Sequence, residues 1–203
     1  MSGRQIPGIA GYHNEADALA EQYESVPFSD VHGDTIQLFP AQTSRILDIG
    51  AGTGRDAAAL AALGHRVVAV EPTPEMRGHG QRLHADQPIE WIDDHLPDLA
   101  RLGGSDREFD LVLLTAVWMH LDRPERERAM ARIADLLAPD GIVIIILRHG
   151  PIPAGRHMFD VTAEETVTLA ESIGLRTVHR GSRPDLHGRR GVHMSTLGFR
   201  AVP

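Results

Sequence analysis

The segment ILDIGAGTGRDAA contains three closely spaced glycines and two acids. Gly50, Gly52 and Gly54 follow an apolar run and precede a predicted helix, so backbone N–H groups could approach a ligand closely there. The dinucleotide fingerprint is G-x-G-x-x-G or A, and here Arg55 occupies its sixth position. Asp48 would repel a pyrophosphate but would tolerate an ammonium or sulfonium group. The loop is therefore predicted to hold a ligand other than a dinucleotide, although a glycine-rich tight turn alone would look similar.

Acidic residues end the next two predicted strands. Glu71 closes RVVAVE, where a carboxylate can accept two hydrogen bonds from a ribose diol. Asp93 and Asp94 end the third strand, where a side chain could accept from the exocyclic amine of an adenine. Taken singly, each acid is also typical of a solvated strand end or a helix cap. Together with the glycine loop they predict an adenosine-shaped site across three adjacent strand ends.

The elements that position these residues alternate along the chain. Five short runs are apolar nearly throughout, as expected for strands buried on both faces, and proline and glycine bound the helices between them. The five predicted strands cover residues 45–50, 66–71, 88–93, 109–117 and 141–148. Helices are predicted over residues 14–25 and 28–40, and another begins at Thr162 as N-cap. The last two strands, RTVHRG and VHMSTLGFRAV, face each other, so we expect an α/β fold with a mostly parallel sheet, helices on both faces and a C-terminal antiparallel hairpin strand.

Composition narrows the function classes. The 203 residues include no cysteine, and all 20 basic residues are arginine, which excludes thiolate nucleophiles and lysine Schiff bases. The 12 histidines show no metal-ligand spacing, so no metal is predicted. The net charge of −8 makes nucleic acid an unexpected partner. No apolar run approaches the roughly 20 residues of a membrane span and no signal peptide is evident, so a cytoplasmic location without membrane contact is predicted.

The segments in order resemble the class I S-adenosylmethionine-dependent methyltransferases, especially the small type 11 and type 12 enzymes. ILDIGAGTGR resembles their first motif, VVAVEPTPEM the second, IEWIDDHLPDL the third, FDLVLLTAVWMHL the fourth and LLAPDGIVIIILR the following strand. The resemblance covers residues 40–150. It implies a Rossmann-like seven-stranded sheet in one domain, residues 1–203, with residues 1–42 as a helical cap over the cofactor. It also implies S-adenosyl-L-methionine as cofactor and S-adenosyl-L-homocysteine as product.

The resemblance also implies roles for single residues. The glycines would line the methionine part of the cofactor, Asp48 would anchor the loop and Glu71 would bind the ribose. The family has a single aspartate at this position, whereas this chain has two. Either Asp93 or Asp94 would therefore accept from the adenine amine. Tyr12 or Tyr23 would close the pocket from the N-terminal segment. The full predicted cofactor set is Asp48, Gly50, Ala51, Gly52, Gly54, Glu71, Pro72, Asp93, Asp94, Ala116 and Tyr23.

Methyl transfer from a sulfonium needs mainly alignment and exclusion of water, and a base only where the acceptor sheds a proton. His120 and His149 are the candidate bases, because they follow the fourth and fifth strands. Trp118, Arg148 and Arg156 are the candidate acceptor-binding residues. Further arginines near the C-terminus are at positions 180, 183, 189 and 190.

Arginine suits carboxylate or phosphate, so the predicted acceptor is a small molecule, with an anionic group as one hypothesis. Three alternatives stay open. The acceptor could be a peptide or RNA, or the chain could bind S-adenosylmethionine without catalysis. An NAD(P)-dependent oxidoreductase is the third, and the glycine spacing opposes it.

Overall fold

The computed structural model describes residues 6–102 and 108–202. Residues 1–5 of the predicted N-terminal cap therefore lie outside the described residues. The helices are α1 (Ala16–Glu24), α2 (Phe28–Val31), α3 (Arg55–Ala62), α4 (Pro74–Leu83), α5 (Arg123–Leu136) and α6 (Ala163–Ser172). The strands are β1 (Arg45–Ile49), β2 (Arg66–Val70), β3 (Ile89–Ile92), β4 (Phe109–Thr115), β5 (Leu137–His149), β6 (Arg176–Pro184) and β7 (His193–Arg200).

The seven strands form one sheet in the order β3-β2-β1-β4-β5-β7-β6. The first five pair in parallel, while β7 runs antiparallel to both β5 and β6. The predicted Rossmann-like α/β fold with a C-terminal antiparallel hairpin is thus confirmed. Because β7 reverses direction between two strands, β6 runs parallel to β5 and ends at the same edge of the sheet.

Apolar side chains alternate between two clusters, one on each face of the sheet. Leu47 and Ile49 of β1 belong to a cluster that includes Met130 of α5. Ile46 belongs to the other cluster, with Leu60 of α3. Since both faces are covered, the parallel strands carry few polar side chains except at their ends, which is where ligands bind in open α/β sheets.

The predicted helix over residues 28–40 is wrong beyond its first turn. α2 ends at Val31, and only a short 3₁₀ turn follows at Ile36–Leu38. Between them His32 is fully buried, and its Nε2 donates to Asp56 Oδ2 at 3.0 Å. This tertiary hydrogen bond outweighs the local helical preference.

A helix has to be long and apolar to cross a membrane. None of the helices within residues 6–102 and 108–202 is long and apolar enough to span a bilayer.

Candidate active site

A cavity of about 410 Å³ lies at the carboxyl edge of the parallel strands. Its volume falls within the range of small-molecule sites, about 300–1,000 Å³. Most of its lining comes from the ends of β1, β2, β4 and β5 and the segments that follow β1 to β5, from the N-terminal segment, and from the adjoining ends of β6 and β7 with the loop between them. The N-terminal contribution includes Ile6, Ile9, Tyr12, Leu19, Gln22, Tyr23 and Val26. The candidate site therefore joins residues that are far apart in the sequence.

The glycine loop after β1 packs too tightly for larger residues. Gly50 and Gly52 have φ angles of +69° and +59°, in the left-handed region that favours glycine. A Cβ on Gly50 would lie 2.4 Å from Cγ2 of Val117. Gly54 is not in the cavity lining, because it packs instead against the Trp91 ring, which a Cβ would approach to 2.7 Å. Gly50, Ala51 and Gly52 line the cavity, as expected for a close backbone approach.

Glu71 joins the glycine loop to the end of β2. Its Oε2 accepts from the backbone N–H of Gly52 at 2.8 Å, and its Oε1 accepts from that of Thr73 at 2.7 Å. The side chain is 5% exposed and lines the cavity beside Pro72. Burial raises the pKa of Glu71, while the two backbone N–H donors oppose that rise. Each carboxylate oxygen keeps a second lone pair, so the group can still accept from a diol.

The two neighbouring aspartates after β3 take different positions. Asp94 is buried and lines the cavity, and its oxygens accept from the backbone N–H groups of His95 at 2.9 Å and Arg101 at 2.6 Å. The Asp93 side chain is 48% exposed and lies within 4 Å of the guanidinium groups of Arg77 and Arg101. Of the two, Asp94 is therefore the one placed where it could contact an adenine.

Asp48 and Asp56 form a buried acidic pair below the glycine loop. Asp56 accepts from His32, from Thr115 Oγ1 at 3.0 Å and from Arg55 Nε at 2.8 Å. Burial opposes its ionisation, but His32 and Arg55 lower the pKa of Asp56. Burial and the nearby Asp56 charge raise the pKa of Asp48 well above its usual value. The negative charge of the pair thus resides on Asp56, and Asp48 is held in its protonated form more readily than an exposed acid.

Tyr12 and His120 form a hydrogen-bonded couple inside the cavity. His120 Nδ1 lies 2.7 Å from the backbone oxygen of His157, which can only accept, so Nδ1 carries the proton. His120 Nε2 is then an acceptor, and the Tyr12 hydroxyl donates to it at 3.1 Å. Burial lowers the pKa of His120 and raises that of Tyr12. Arg156 lies over the Tyr12 ring at 4.2 Å and pairs with Glu15.

Ala116 and Tyr23 also line the cavity. Ala116 has a φ of +58°, a strained conformation for a residue with a side chain, and β4 ends two residues earlier than predicted, just before it. Its N–H donates to Ile146 O at 2.8 Å, which holds the strained turn in place.

One candidate base and one candidate acceptor-binding residue do not reach the cavity. Side chains of β5 alternate, so Arg148 faces the cavity while His149 faces the other way. His149 bonds to Ser195 Oγ at 2.8 Å and stacks on His193. Trp118 is fully buried in the core cluster that contains α5. The expected catalytic role of His149 and acceptor-binding role of Trp118 are therefore corrected.

The loop between β6 and β7 contributes both new residues and one of the C-terminal arginines to the cavity. Asp185, Leu186, His187 and Arg189 join Arg183 in the lining. The Asp185 carboxylate receives Nε and Nη2 of Arg189 at 2.9 and 2.6 Å. The arginine-rich composition of this segment was the available signal. It did not tell which arginines face inward, because the register of β6 against β7 decides that.

No group of three or more histidine and acidic side chains within the described ranges is arranged to hold a metal ion.

A family model described as a methyltransferase domain matches residues 46–141, which include the glycine loop, Glu71 and Asp94. The N1-methyltransferase for 1,6-didemethyltoxoflavin from Burkholderia thailandensis, solved with that compound and S-adenosylhomocysteine, is 25% identical. The similarity covers 100% of this chain and 93% of that one, with a TM-score of 0.64. Over residues 46–141 and in its overall fold, the chain is similar to the class I S-adenosylmethionine-dependent methyltransferases. S-adenosylmethionine is the cofactor of this family.

Other methyltransferases are similar over part of the chain. An uncharacterised methyltransferase of Mycobacterium tuberculosis is 33% identical over 111 residues, 51% of this chain and 40% of that protein. The demethylmenaquinone methyltransferase of Clavibacter sepedonicus is 33% identical over 124 residues, 60% of this chain and 49% of that protein. These alignments span less than half of the relatives' own lengths. The N-methyltransferase NodS of Bradyrhizobium japonicum shares the fold, with a TM-score of 0.69 and 18% identity over 93% of this chain and 97% of that one.

Proposed function

We propose that this protein transfers a methyl group from S-adenosylmethionine to a small molecule. The observation that carries the proposal is the position of Glu71, buried in the cavity and tethered at both oxygens to Gly52 and Thr73. In this position the carboxylate would meet the ribose of a cofactor beside the glycine loop. The similar Burkholderia enzyme was solved with bound 1,6-didemethyltoxoflavin, and the Clavibacter relative is a demethylmenaquinone methyltransferase. Both support a small acceptor.

The residues that would hold the cofactor fit an adenosine with an extended tail. Glu71 would accept from the ribose hydroxyls, and Asp94 from the adenine amine. Apolar side chains of Pro72, Met76 and Leu96 line the same part of the cavity and suit a purine. When bound, S-adenosylmethionine supplies an electrophilic methyl group on a sulfonium.

The N-terminal segment would exclude water from the reacting groups. Tyr23 and Leu19 of α1 line the cavity opposite the sheet edge. Methyl transfer disperses charge, so alignment in a closed site lowers the barrier, by about 7–11 kcal/mol where the geometry is ideal. The protein's main contribution would therefore be a closed cavity in which donor and acceptor meet.

Tyr12 and His120 would remove a proton from an acceptor hydroxyl or N–H group. His120 Nε2 already receives the Tyr12 hydroxyl, so an acceptor reaches the base through a lone pair of the Tyr12 oxygen. The acceptor proton passes to the Tyr12 oxygen while the Tyr12 proton passes to His120 Nε2. His120 becomes an imidazolium and later releases the proton to water. Such proton transfer is worth about 10²–10⁴ in rate.

Calorimetry with S-adenosylhomocysteine tests the cofactor site. We expect saturable binding to the wild type and at least about tenfold weaker binding to Glu71→Gln, because charge-assisted hydrogen bonds contribute about 1.5–3 kcal/mol. Glu75→Gln is the matched control, since Glu75 is an exposed residue of α4 that is not in the cavity lining, and its affinity should equal the wild type. Circular dichroism would establish that both variants are folded.

Labelled methyl donor and a metabolite extract then test transfer. The proposal predicts label in a small-molecule fraction. Absence of S-adenosylhomocysteine binding would refute it. Binding without transfer to any component of the extract would instead indicate a non-catalytic cofactor-binding protein.

A further inference from the structure

Arg148, Met194 and Arg183 lie side by side on the neighbouring strands β5, β7 and β6, and they are called the row below. Arg148 of β5 and Arg183 of β6 each pair in register with Met194 of β7, which lies between them. Residues in register on neighbouring strands point to the same face, and strands are about 4.8 Å apart. The Cα atoms of the two arginines are therefore about 10 Å apart, from twice that spacing. All three side chains line the cavity, with the two guanidinium groups on either side of the methionine.

These two arginines differ from the others in the cavity lining. Arg55 pairs with Asp56, Arg156 with Glu15 and Arg189 with Asp185. Among the described residues, neither Arg148 nor Arg183 has a carboxylate within 4 Å. The two positive charges thus have no carboxylate in direct contact, although Asp185 acts on both of them and Asp34 on Arg183 from farther away.

The hydrogen-bonding capacity of both guanidinium groups is incomplete. Arg148 is 8% exposed; its Nη2 donates to Pro151 O at 2.7 Å, but its Nε is buried without a partner. Arg183 donates from Nη1 to Pro184 O at 3.3 Å, and its Nε is also buried without a partner. Buried donors are nearly always satisfied, so these two N–H groups, on arginines that line one cavity, favour a ligand that supplies acceptor oxygens.

The row lies away from the part of the cavity that would hold the cofactor. β5 is two strands from β1 and β6 is four strands from it, whereas Glu71 and the glycine loop follow β2 and β1. An anion between Arg148 and Arg183 would therefore belong to a second molecule. Apolar Ile146 and Leu186 also line this half and suit the uncharged body of that molecule.

We propose that Arg148 and Arg183 bind the carboxylate or phosphate group of the methyl acceptor. This inference rests on the proposed function, because it names the class of molecule that the acceptor half takes. The acceptor is then a small amphiphilic anion whose apolar body lies over Met194. Arginine can bind either oxyanion through parallel N–H···O bonds, so both sources of the anion have to be compared.

Arginine side-chain NMR tests the site directly. The full chain, labelled with ¹⁵N-arginine and saturated with S-adenosylhomocysteine, is titrated with benzoate, phenyl phosphate or the neutral benzamide. The Nε–H signals of Arg148 and Arg183 are assigned by their loss in the Arg148→Gln and Arg183→Gln variants. We expect both signals to shift and saturate with benzoate or phenyl phosphate and to stay in place with benzamide. The anion with the lower Kd shows whether the site prefers a carboxylate or a phosphate.

A variant on the same strand provides the control for charge. Arg183→Gln should weaken anion binding at least about tenfold, since hydrogen bonds to charged groups are among the strong ones. Arg180→Gln removes an equal charge from β6, but Arg180 is exposed and pairs with Glu164 outside the cavity, so it should leave the affinity unchanged. Equal weakening by both variants would show only a general effect of charge and would overturn the inference.

The remaining outcomes separate this inference from the proposed function. If S-adenosylhomocysteine binds but neither anion moves the two signals, the anion site is refuted and the proposed function stands. If S-adenosylhomocysteine itself moves them and 5′-methylthioadenosine, which lacks the carboxylate, does not, the arginines bind the cofactor and the inference is again refuted. If S-adenosylhomocysteine does not bind at all, the proposed function fails first.

Discussion

At the scale of single residues, the cavity controls protonation by burial. His120 is kept neutral because its burial lowers its pKa, and the backbone oxygen of His157 fixes which nitrogen accepts. Burial and the neighbouring Asp56 raise the pKa of Asp48, while contacts with His32 and Arg55 lower the pKa of Asp56. Burial and neighbouring charges thus shift the pKa values of an ordinary histidine and an ordinary aspartate.

Replacing Tyr12 by Phe tests the proton path. In the wild type, activity should fall on the acid side as His120 becomes protonated, and the lowered pKa places that fall below pH 6.5. Tyr12→Phe should reduce kcat by about 10² or more, because the acceptor loses its route to His120. The acid limb of the kcat profile should disappear with it. The measurement is kcat against pH, from well below to well above the pKa of His120.

Tyr23→Phe is the comparison variant for this experiment. Tyr23 lines the same cavity, and the hydroxyl at 3.1 Å from His120 Nε2 is that of Tyr12. Tyr23→Phe should therefore keep the acid limb whatever its effect on binding. An unchanged acid limb in Tyr12→Phe would contradict the path through Tyr12.

At the scale of elements, the site depends on how two loops pack together. The glycine loop after β1 and the turn after β4 approach closely, because Gly50 lacks a side chain at the point where Val117 lies. Glu71 then fastens the glycine loop to the end of β2. The loop conformation is consequently set by contacts from β2 and β4 as well as by its own glycines.

Gly50→Ala should disturb this packing. The new Cβ meets Val117 at 2.4 Å and the φ of +69° adds strain, so we expect a loss of about 2–4 kcal/mol in the free energy of unfolding. Gly174→Ala is the control, since Gly174 has a φ of +87° but no neighbour within 4 Å of an added Cβ. Gly174→Ala should lower the free energy of unfolding only through backbone strain, by about 1–2 kcal/mol. Urea unfolding measures both, and equal losses would show that the Val117 contact is unimportant.

At the scale of the whole molecule, the cavity is closed by chain segments from opposite ends of the sequence. Residues from the N-terminal segment and from the loop between β6 and β7 face the strand ends across it. A cofactor bound there would contact both the sheet and its cover. Binding should therefore slow the opening of the cover and raise the stability of the whole chain.

Hydrogen exchange measures this coupling. At about 100 times its Kd, S-adenosylhomocysteine should add about 2.7 kcal/mol to the free energy of unfolding. Amides of α1, which carries Tyr23 and Leu19, should exchange more slowly on binding. The exchange rates of amides near the C-terminal end of α6 should change only if these amides exchange through global unfolding, because α6 contributes no residue to the cavity. Equal protection of both helices would show that α1 does not act as a separate cover.

Much of the fold is predictable from the sequence because it depends on local patterns. Buried parallel strands are apolar throughout, and the glycine loop and Glu71 lie at strand ends that any parallel sheet brings to one edge. Spacing and residue type are therefore enough to predict them. The predicted helix over residues 28–40 is wrong, because burial of His32 against Asp56 is a tertiary contact that no local pattern contains.

The sequence alone determined the α/β architecture and the placement of the glycine loop and Glu71 at one edge of the sheet, since these follow from the order of strands and from residues at their ends. Only the tertiary structure decided that Asp94 rather than Asp93 lines the cavity, that His149 and Trp118 do not, and that Arg148 and Arg183 share a row. For Asp94 and Trp118, which lie beyond the ends of β3 and β4, packing of the connecting segments decides. For the residues of β5 and β6 the physical reason is register, because on a strand moving by one residue turns a side chain to the opposite face. Pairing between β5, β7 and β6 sets that register, and the sequence does not reveal it.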